Sequence, residues 1–170
     1  MNPQASRLME LLDEVYTISD LNNMVRVLNN IKPMAFSGDP QVGQKIMNEL
    51  PPKLAKYVTE YVSMSSYNMN DVNDTQRVLQ EIIYILHRIP VAEISTPQPL
   101  TYKQIEKMCR WWRQATGQPV ILNIKSNPEL IAGITIGFEG HYVDYSLSTW
   151  LQDKGKEHLD KIQIEATQQQ

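Results

Sequence analysis

The 170-residue sequence has one cysteine, Cys109, so neither an intramolecular disulfide nor a thiolate zinc cluster can be built from it. Long apolar runs are missing too. The longest, Ile82 to Leu86, is far short of the roughly 20 residues that cross a bilayer, and direct membrane insertion is not expected. A basic excess is also lacking: 16 Lys and Arg stand against 19 Asp and Glu, for a net charge of −3. Nucleic acid and anionic lipid reward a basic face, so an electrostatically driven nucleic-acid binder is excluded. Where a secretion signal needs an apolar centre, the N-terminal stretch has Pro3, Arg7, Glu10, Asp13 and Glu14; no signal peptide is expected.

Catalytic signatures are equally scarce. Gly133, Gly137 and Gly140 have the wrong spacing for a phosphate loop and lie between apolar runs, where glycine marks a turn or a close backbone approach. His87, His141 and His158 fall in no H-E-x-x-H pattern, which would place two ligands on one helix face. Ser146 lacks the G-x-S-x-G setting of an activated serine. Cys109, between Met108 and the Trp111-Trp112 pair, reads as a small buried apolar residue. No catalytic residue, cofactor or metal is expected.

What is present is periodicity. Apolar residues make up 42% of the chain, enough for a folded core. From Ala5 to Tyr16, Leu8, Leu11, Leu12 and Val15 share one helical face. A second stripe, Leu21, Met24, Val25, Leu28 and Ile31, starts behind Asp20 as N-cap and stops at Pro33. A third helix, begun by Pro40, carries Val42, Ile46 and Leu50. Pro51-Pro52 breaks it and starts a fourth with Leu54, Tyr57, Val58, Tyr61 and Val62. After a polar loop from Ser63, a fifth helix from Asp74 or Thr75 carries Val78, Leu79, Ile82, Ile83 and Leu86, and Pro90 ends it. Each apolar face needs another to cover it, which predicts an antiparallel helical bundle over residues 1–90.

Beyond Pro90 the period changes. Val91 to Ser95 reads as a strand. A helix from the N-cap Thr101 to Ala115 follows, with Gly117 as its C-cap. Pro119 to Ile124 is a strand, Asn127-Pro128 a turn, and Leu130 to Ile136 and His141 to Leu147 two further strands about a glycine-bearing connection. A last helix runs from Leu147 to about Ala166, with Asp144 or Ser146 at its mouth to accept free backbone N–H groups. Gln168 to Gln170 are expected to fray. The fold class is therefore α+β: a helical bundle, 1–90, followed by a small α+β domain with a mixed sheet, 91–170. Trp111 and Trp112 are adjacent on a helix and point about 100° apart, so they cannot both face one core. With Trp150 they are the candidate partner-contact residues.

Several stretches of the second half match a known order of residues. They are Val91 to Thr101, Gln104 in the next helix, Gly117-Gln118-Pro119-Val120-Ile121-Leu122, Asn127-Pro128-Glu129-Leu130-Ile131-Ala132-Gly133-Ile134-Thr135-Ile136, and Val143-Asp144-Tyr145-Ser146-Leu147 with Leu151. Together they resemble the C-terminal region of the delta subunit of F-type ATP synthases, the family of the mitochondrial oligomycin-sensitivity-conferring protein. Leu130, Ile131, Gly133, Asp144 and Ser146 carry the family motif. Ala132 departs from its glycine pair, and Asn127 stands where aspartate is common.

The resemblance implies a non-catalytic stator subunit of a bacterial enzyme that makes ATP at the expense of proton transport. Its bundle would take up N-terminal helices of alpha subunits, and its C-terminal domain would hold the ends of the b subunits. It would sit peripherally on the cytoplasmic face of the plasma membrane and resist the torque of the shaft. Two alternatives come from other classes. One is a small enzyme or ligand-binding protein with a pocket near His141 and Asp144; the other is a free-standing adaptor that has kept the fold.

Overall fold

The computed structural model describes residues 3–37, 39, 41–152 and 154. Five α-helices come first: α1 (Pro3–Leu11), α2 (Ile18–Ile31), α3 (Val42–Glu49), α4 (Pro52–Met64) and α5 (Val72–His87), with a 3-10 turn at Lys32–Phe36 after α2. Then follow β1 (Val91–Thr96), α6 (Tyr102–Thr116), β2 (Ile121–Ser126), β3 (Thr135–Phe138) and β4 (His141–Asp144). Residues 147–152 are helical again. Helices followed by a mixed four-stranded sheet with its own helix make this an α+β chain.

Local chemistry sets most boundaries. α2 is closed by a capping box in which the Thr17 hydroxyl accepts the Asp20 N–H at 3.2 Å and Asp20 Oδ2 accepts the Thr17 N–H at 3.0 Å. The N-cap is thus Thr17, and Asp20, expected in that role, stands inside the first turn as its reciprocal partner. α5 begins earlier than the expected Asp74, because Asp71 Oδ1 accepts the N–H groups of Asn73 and Asp74 at 2.9 and 3.0 Å. α4 starts on Pro52, where a missing N–H costs nothing. Pro40, expected to open α3, lies outside the described residues, as does the final helix beyond 154 with its glutamine tail.

α1 is the main departure. Its apolar period continues to Val15, yet the helix stops at Leu11. The cause is distant in sequence. Arg113 on α6 donates to the Leu12 and Val15 carbonyls at 2.6 and 2.5 Å, and the Leu122 N–H donates to the Tyr16 carbonyl at 2.8 Å. The Val15 and Tyr16 carbonyls are thus engaged by α6 and β2, and the Leu12 carbonyl, which also accepts the Val15 N–H at 3.0 Å, closes a tight turn in place of a further helical turn.

The strand order is β2-β1-β3-β4. β1 runs parallel to β2 and antiparallel to β3, and β3 is antiparallel to β4. The apolar run Leu130 to Ile136 is only partly strand. Gly133, at φ +95°, sits where a Cβ would come 2.2 Å from the Tyr145 carbonyl oxygen. Positive φ breaks the extended run, so β3 begins at Thr135 and Ile131 is left 72% exposed.

α6 shows local signals agreeing with global packing: Gln104 Oε1 accepts the Thr101 N–H at 2.8 Å, and Gly117 closes the helix at φ 66°. Its apolar face, with Cys109 fully buried, covers Ala92, Ile94 and Leu122 of β1 and β2. The helical layers close over a separate core that includes Leu28, Ile46, Leu54, Leu79 and Ile82.

Candidate docking surfaces

Among the described residues α6 alone covers one face of the four-stranded sheet, and it covers half of it. The register places Ile94 opposite Ile136, Ile136 opposite Val143, and Phe138 opposite His141. Side chains alternate faces along a strand, so Ile136, Phe138, Val143 and His141 share the face that carries Ile94. α6 lies over the β1 and β2 end of that face. Over β3 and β4 the face stays open as an apolar recess of about 360 Å³, walled by Trp111, Trp112 and Ala115 on one side and by Ile136, Phe138, His141, Val143 and Tyr145 on the other.

The two adjacent tryptophans divide their work as their helical spacing requires. Trp112 packs edge-on against Phe138, with ring centroids 5.3 Å apart and planes at 61°. Trp111 is 66% exposed at the rim. Trp150, the third candidate contact, is exposed on the helical stretch 147–152 and does not line the recess. Among the described residues, nine of the twelve exposed large apolar side chains follow residue 90. Tyr142, Tyr145 and Leu151 belong to this set and were not among the expected contact residues; Tyr142 and Tyr145 stand in the second apolar run, and Tyr145 and Leu151 in the stretches that carry the family resemblance.

His141 and Asp144 are not joined in one pocket. His141 lines the recess, whereas Asp144 is turned to the next helix start. Its Oδ1 accepts the Ser146 N–H at 2.7 Å and its Oδ2 accepts the Thr149 hydroxyl at 2.9 Å. Hydrogen bonds from Ser146, then from Thr149, hold the carboxyl below the usual aspartate range. Ser146 is itself buried, and its hydroxyl accepts the Thr149 N–H at 3.3 Å. Leu130, by its N–H to the Asn127 carbonyl at 3.1 Å, finishes the Asn-Pro turn. Gly133 allows the backbone of Tyr145 and Ser146 to pass at contact distance.

Cys109 donates its thiol to the Val120 carbonyl at 3.4 Å, and burial pushes its pKa up, which is the setting of an inert thiol. Among the described residues no group of three His, Cys, Asp or Glu is placed to hold a metal ion.

The helical layers offer two grooves of different character. Between α1 and α4 a cleft of about 450 Å³ is lined by ion pairs: Arg7 with Glu60 at 3.6 Å, Lys53 with Glu14 at 2.9 Å and with Asp13 at 3.3 Å, and Lys56 with Glu10. Its charges are already satisfied within the chain. Between α1 and α5 a smaller groove of about 280 Å³ is lined mainly by apolar and aromatic groups, among them Ala5, Leu8, Tyr57, Tyr84 and Ile85. Tyr84 is 59% exposed, and Arg88 lies over its ring at 5.4 Å while donating to its hydroxyl at 2.7 Å.

The profile of the ATP synthase delta (OSCP) subunit family matches residues 17–157. A search of the curated proteins finds no match. The matched range begins at the Thr17 cap and takes in both the helical layers from α2 onward and the sheet.

Proposed function

The chain belongs to the ATP synthase delta (OSCP) subunit family, and from that premise we propose that it joins the alpha subunits of the catalytic head to the ends of the b-subunit stalk. Family membership makes it a non-catalytic, peripheral stator subunit of an ATP synthase. Among the described residues no helix is long and apolar enough to cross a membrane.

In this reading residues 1–90 and 91–170 are the two working halves, and each has one docking surface. The open face over β3 and β4, rimmed by Trp111 and Tyr145, receives the apolar end of a b subunit. This recess is the observation that carries the reading, since an uncovered sheet face lined by aromatic and aliphatic side chains is a surface that a partner can cover. The groove between α1 and α5 takes the apolar stripe of an alpha-subunit N-terminal helix, with Leu8, Tyr84 and Ile85 as the anchoring wall. The cleft between α1 and α4 is unsuited to that stripe, because its ion pairs would be desolvated. The protein acts at the cytoplasmic face of the plasma membrane, coupling ATP synthesis to proton transport by holding the head against the turning shaft.

The test is a pair of titrations on the full chain, one with a soluble b-subunit fragment carrying its C-terminal end and one with a peptide of the alpha N-terminus. Trp111→Ser weakens the b fragment by about tenfold or more and leaves the alpha peptide unchanged; Tyr84→Ser does the reverse, as expected for exposed aromatic anchors. Both ligands binding equally well to both variants would defeat the assignment.

A further inference from the structure

The two halves are stitched together by something other than the chain that joins them at Pro90. The segment between α1 and α2, residues 12–17, lies along the outer edge of β2. There the Leu122 N–H donates to the Tyr16 carbonyl at 2.8 Å, and Thr17 pairs with Leu122 as a parallel bridge. Arg113, 5% exposed, reaches across from α6 and makes four hydrogen bonds to three carbonyls: Nε and Nη2 to Val120 at 3.0 and 2.9 Å, Nη1 to Leu12 at 2.6 Å, and Nη2 to Val15 at 2.5 Å. Two guanidinium groups lie near the ring of Tyr16, Arg110 at 5.6 Å and Arg113 at 5.8 Å from its centroid. Arg110 also donates to the Tyr16 hydroxyl at 2.8 Å and to Asp13 at 3.2 Å. The cores are exchanged as well: Ile121 is counted in the helical core and Tyr16 in the sheet core.

We propose that Arg113 and the 12–17 segment clamp the helical and sheet halves into one body, so that load applied at one docking surface reaches the other without a hinge at Pro90. The clamp rests on the stator reading for its purpose and not for its existence. A buried guanidinium held by backbone carbonyls is well suited to the task. Its planar fork fixes both distance and angle between the elements it joins, and its removal takes the guanidinium donors from all three carbonyls, leaving Leu12 with the Val15 N–H at 3.0 Å, Val120 with the Cys109 thiol at 3.4 Å, and Val15 with no side-chain donor. A lone backbone connection at Pro90 would transmit tension but not twist.

The experiment needs two probes on the full chain. All three tryptophans, Trp111, Trp112 and Trp150, lie after residue 90, so their fluorescence reports the sheet half, whereas helical ellipticity is dominated by α1 to α5. In urea the two probes give coincident midpoints for the native sequence. For Arg113→Met the midpoints separate by about 1 M urea, which corresponds to uncoupling of two small units. A second measurement covers the case in which Arg113→Met does not fold: spin labels at positions 45 and 125 in a Cys109→Ala background give one narrow distance distribution in the native sequence and a broadened one in Arg113→Lys, whose amine cannot span three carbonyls. Separate midpoints or a broad distribution in the native sequence overturn the clamp. So does an Arg113→Met variant that folds with coincident midpoints. Binding of the b fragment and alpha peptide, measured separately, distinguishes loss of the clamp from failure of the stator reading.

Discussion

Among the described residues, nineteen buried apolar residues form the core of the helical layers and six form the core beneath the sheet, while the exposed large apolar side chains are distributed the other way, three before residue 90 and nine after it. The helical half is nearly closed: its stripes meet one another, the cleft between α1 and α4 satisfies its own charges, and the small groove between α1 and α5 is what it leaves open. The sheet half stops short of completion, because one helix covers two of four strands and the rest of that face presents aromatics to solvent. Burial of apolar area is the main favourable term in folding, so leaving such a face open costs stability unless a partner covers it. The difference separates a half that is mostly frame, with one small groove, from a half whose open face is mostly contact surface.

The sharpest way to break this comparison is at the backbone of the sheet half. Gly133→Val places a Cβ 2.2 Å from the Tyr145 oxygen at a φ of +95°, and no side chain can move to relieve contact between two backbones. Loss of more than about 4 kcal/mol, or failure to fold, is expected in urea titrations followed by tryptophan fluorescence. A variant with native stability would mean that the 132–147 packing is looser than its hydrogen bonds imply. Next in size is Leu79→Ala. Leu79 is fully buried in the helical core, and the lost contacts plus the cavity should cost about 2–5 kcal/mol in the same titration. Val143→Ala, the matching truncation on the open face, should cost less than about 1 kcal/mol, because Val143 is 42% exposed. Equal losses at the two positions would remove the distinction between a closed and an open core.

How far the sequence foretold this division depends on where the deciding interaction lies. α6 was legible to within one residue, ending at Thr116 and not at the expected Ala115, because Thr101, Gln104 and Gly117 act within one turn of its ends. The role of Asp144 and Ser146 at a helix start was legible for the same reason. The end of α1 was not: Leu8, Leu11, Leu12 and Val15 keep helical period, and what stops the helix is Arg113, about a hundred positions away. Asp20 was expected where Thr17 stands, because both belong to one capping box and periodicity alone leaves open which of them lies outside the helix. That Trp111 and Trp112 would diverge followed from helix geometry, but the recess between them and Val143 required the β3–β4 register, which periodicity leaves free.

A smaller contrast concerns two aspartates whose carboxyls are both held below the usual range. In the helical half, Asp39 owes this first to its hydrogen bond from Lys45 and then to the Gln41 N–H; in the sheet half, Asp144 owes it to the neutral donors of Ser146 and Thr149. A lowered folded pKa contributes stability that is present above the unfolded aspartate value of about 3.9 and is lost as pH falls through the folded one. The urea midpoint of the native sequence should therefore exceed that of Asp144→Asn near neutrality, and the gap should close as pH falls toward about 2. Salt of about 1 M shortens the screening length to about 3 Å, so it should shrink the Asp39→Asn difference while leaving that of Asp144→Asn in place.

The smallest expected change in stability is the one that bears most on the comparison. Trp111 is 66% exposed at the rim of the recess and belongs to neither core cluster. If the open face exists for a partner, Trp111→Ser should change the free energy of unfolding from urea titration by no more than about 0.5 kcal/mol in either direction, the range of surface substitutions. Trp112, edge-on to Phe138 at 5.3 Å, should by contrast cost about 3 kcal/mol or more on truncation to alanine, because its ring packs against the sheet core. Two neighbouring tryptophans would then separate stability from surface within one helical turn. A large loss at Trp111 would instead make the recess wall part of the folded core, and the sheet half would no longer stand open.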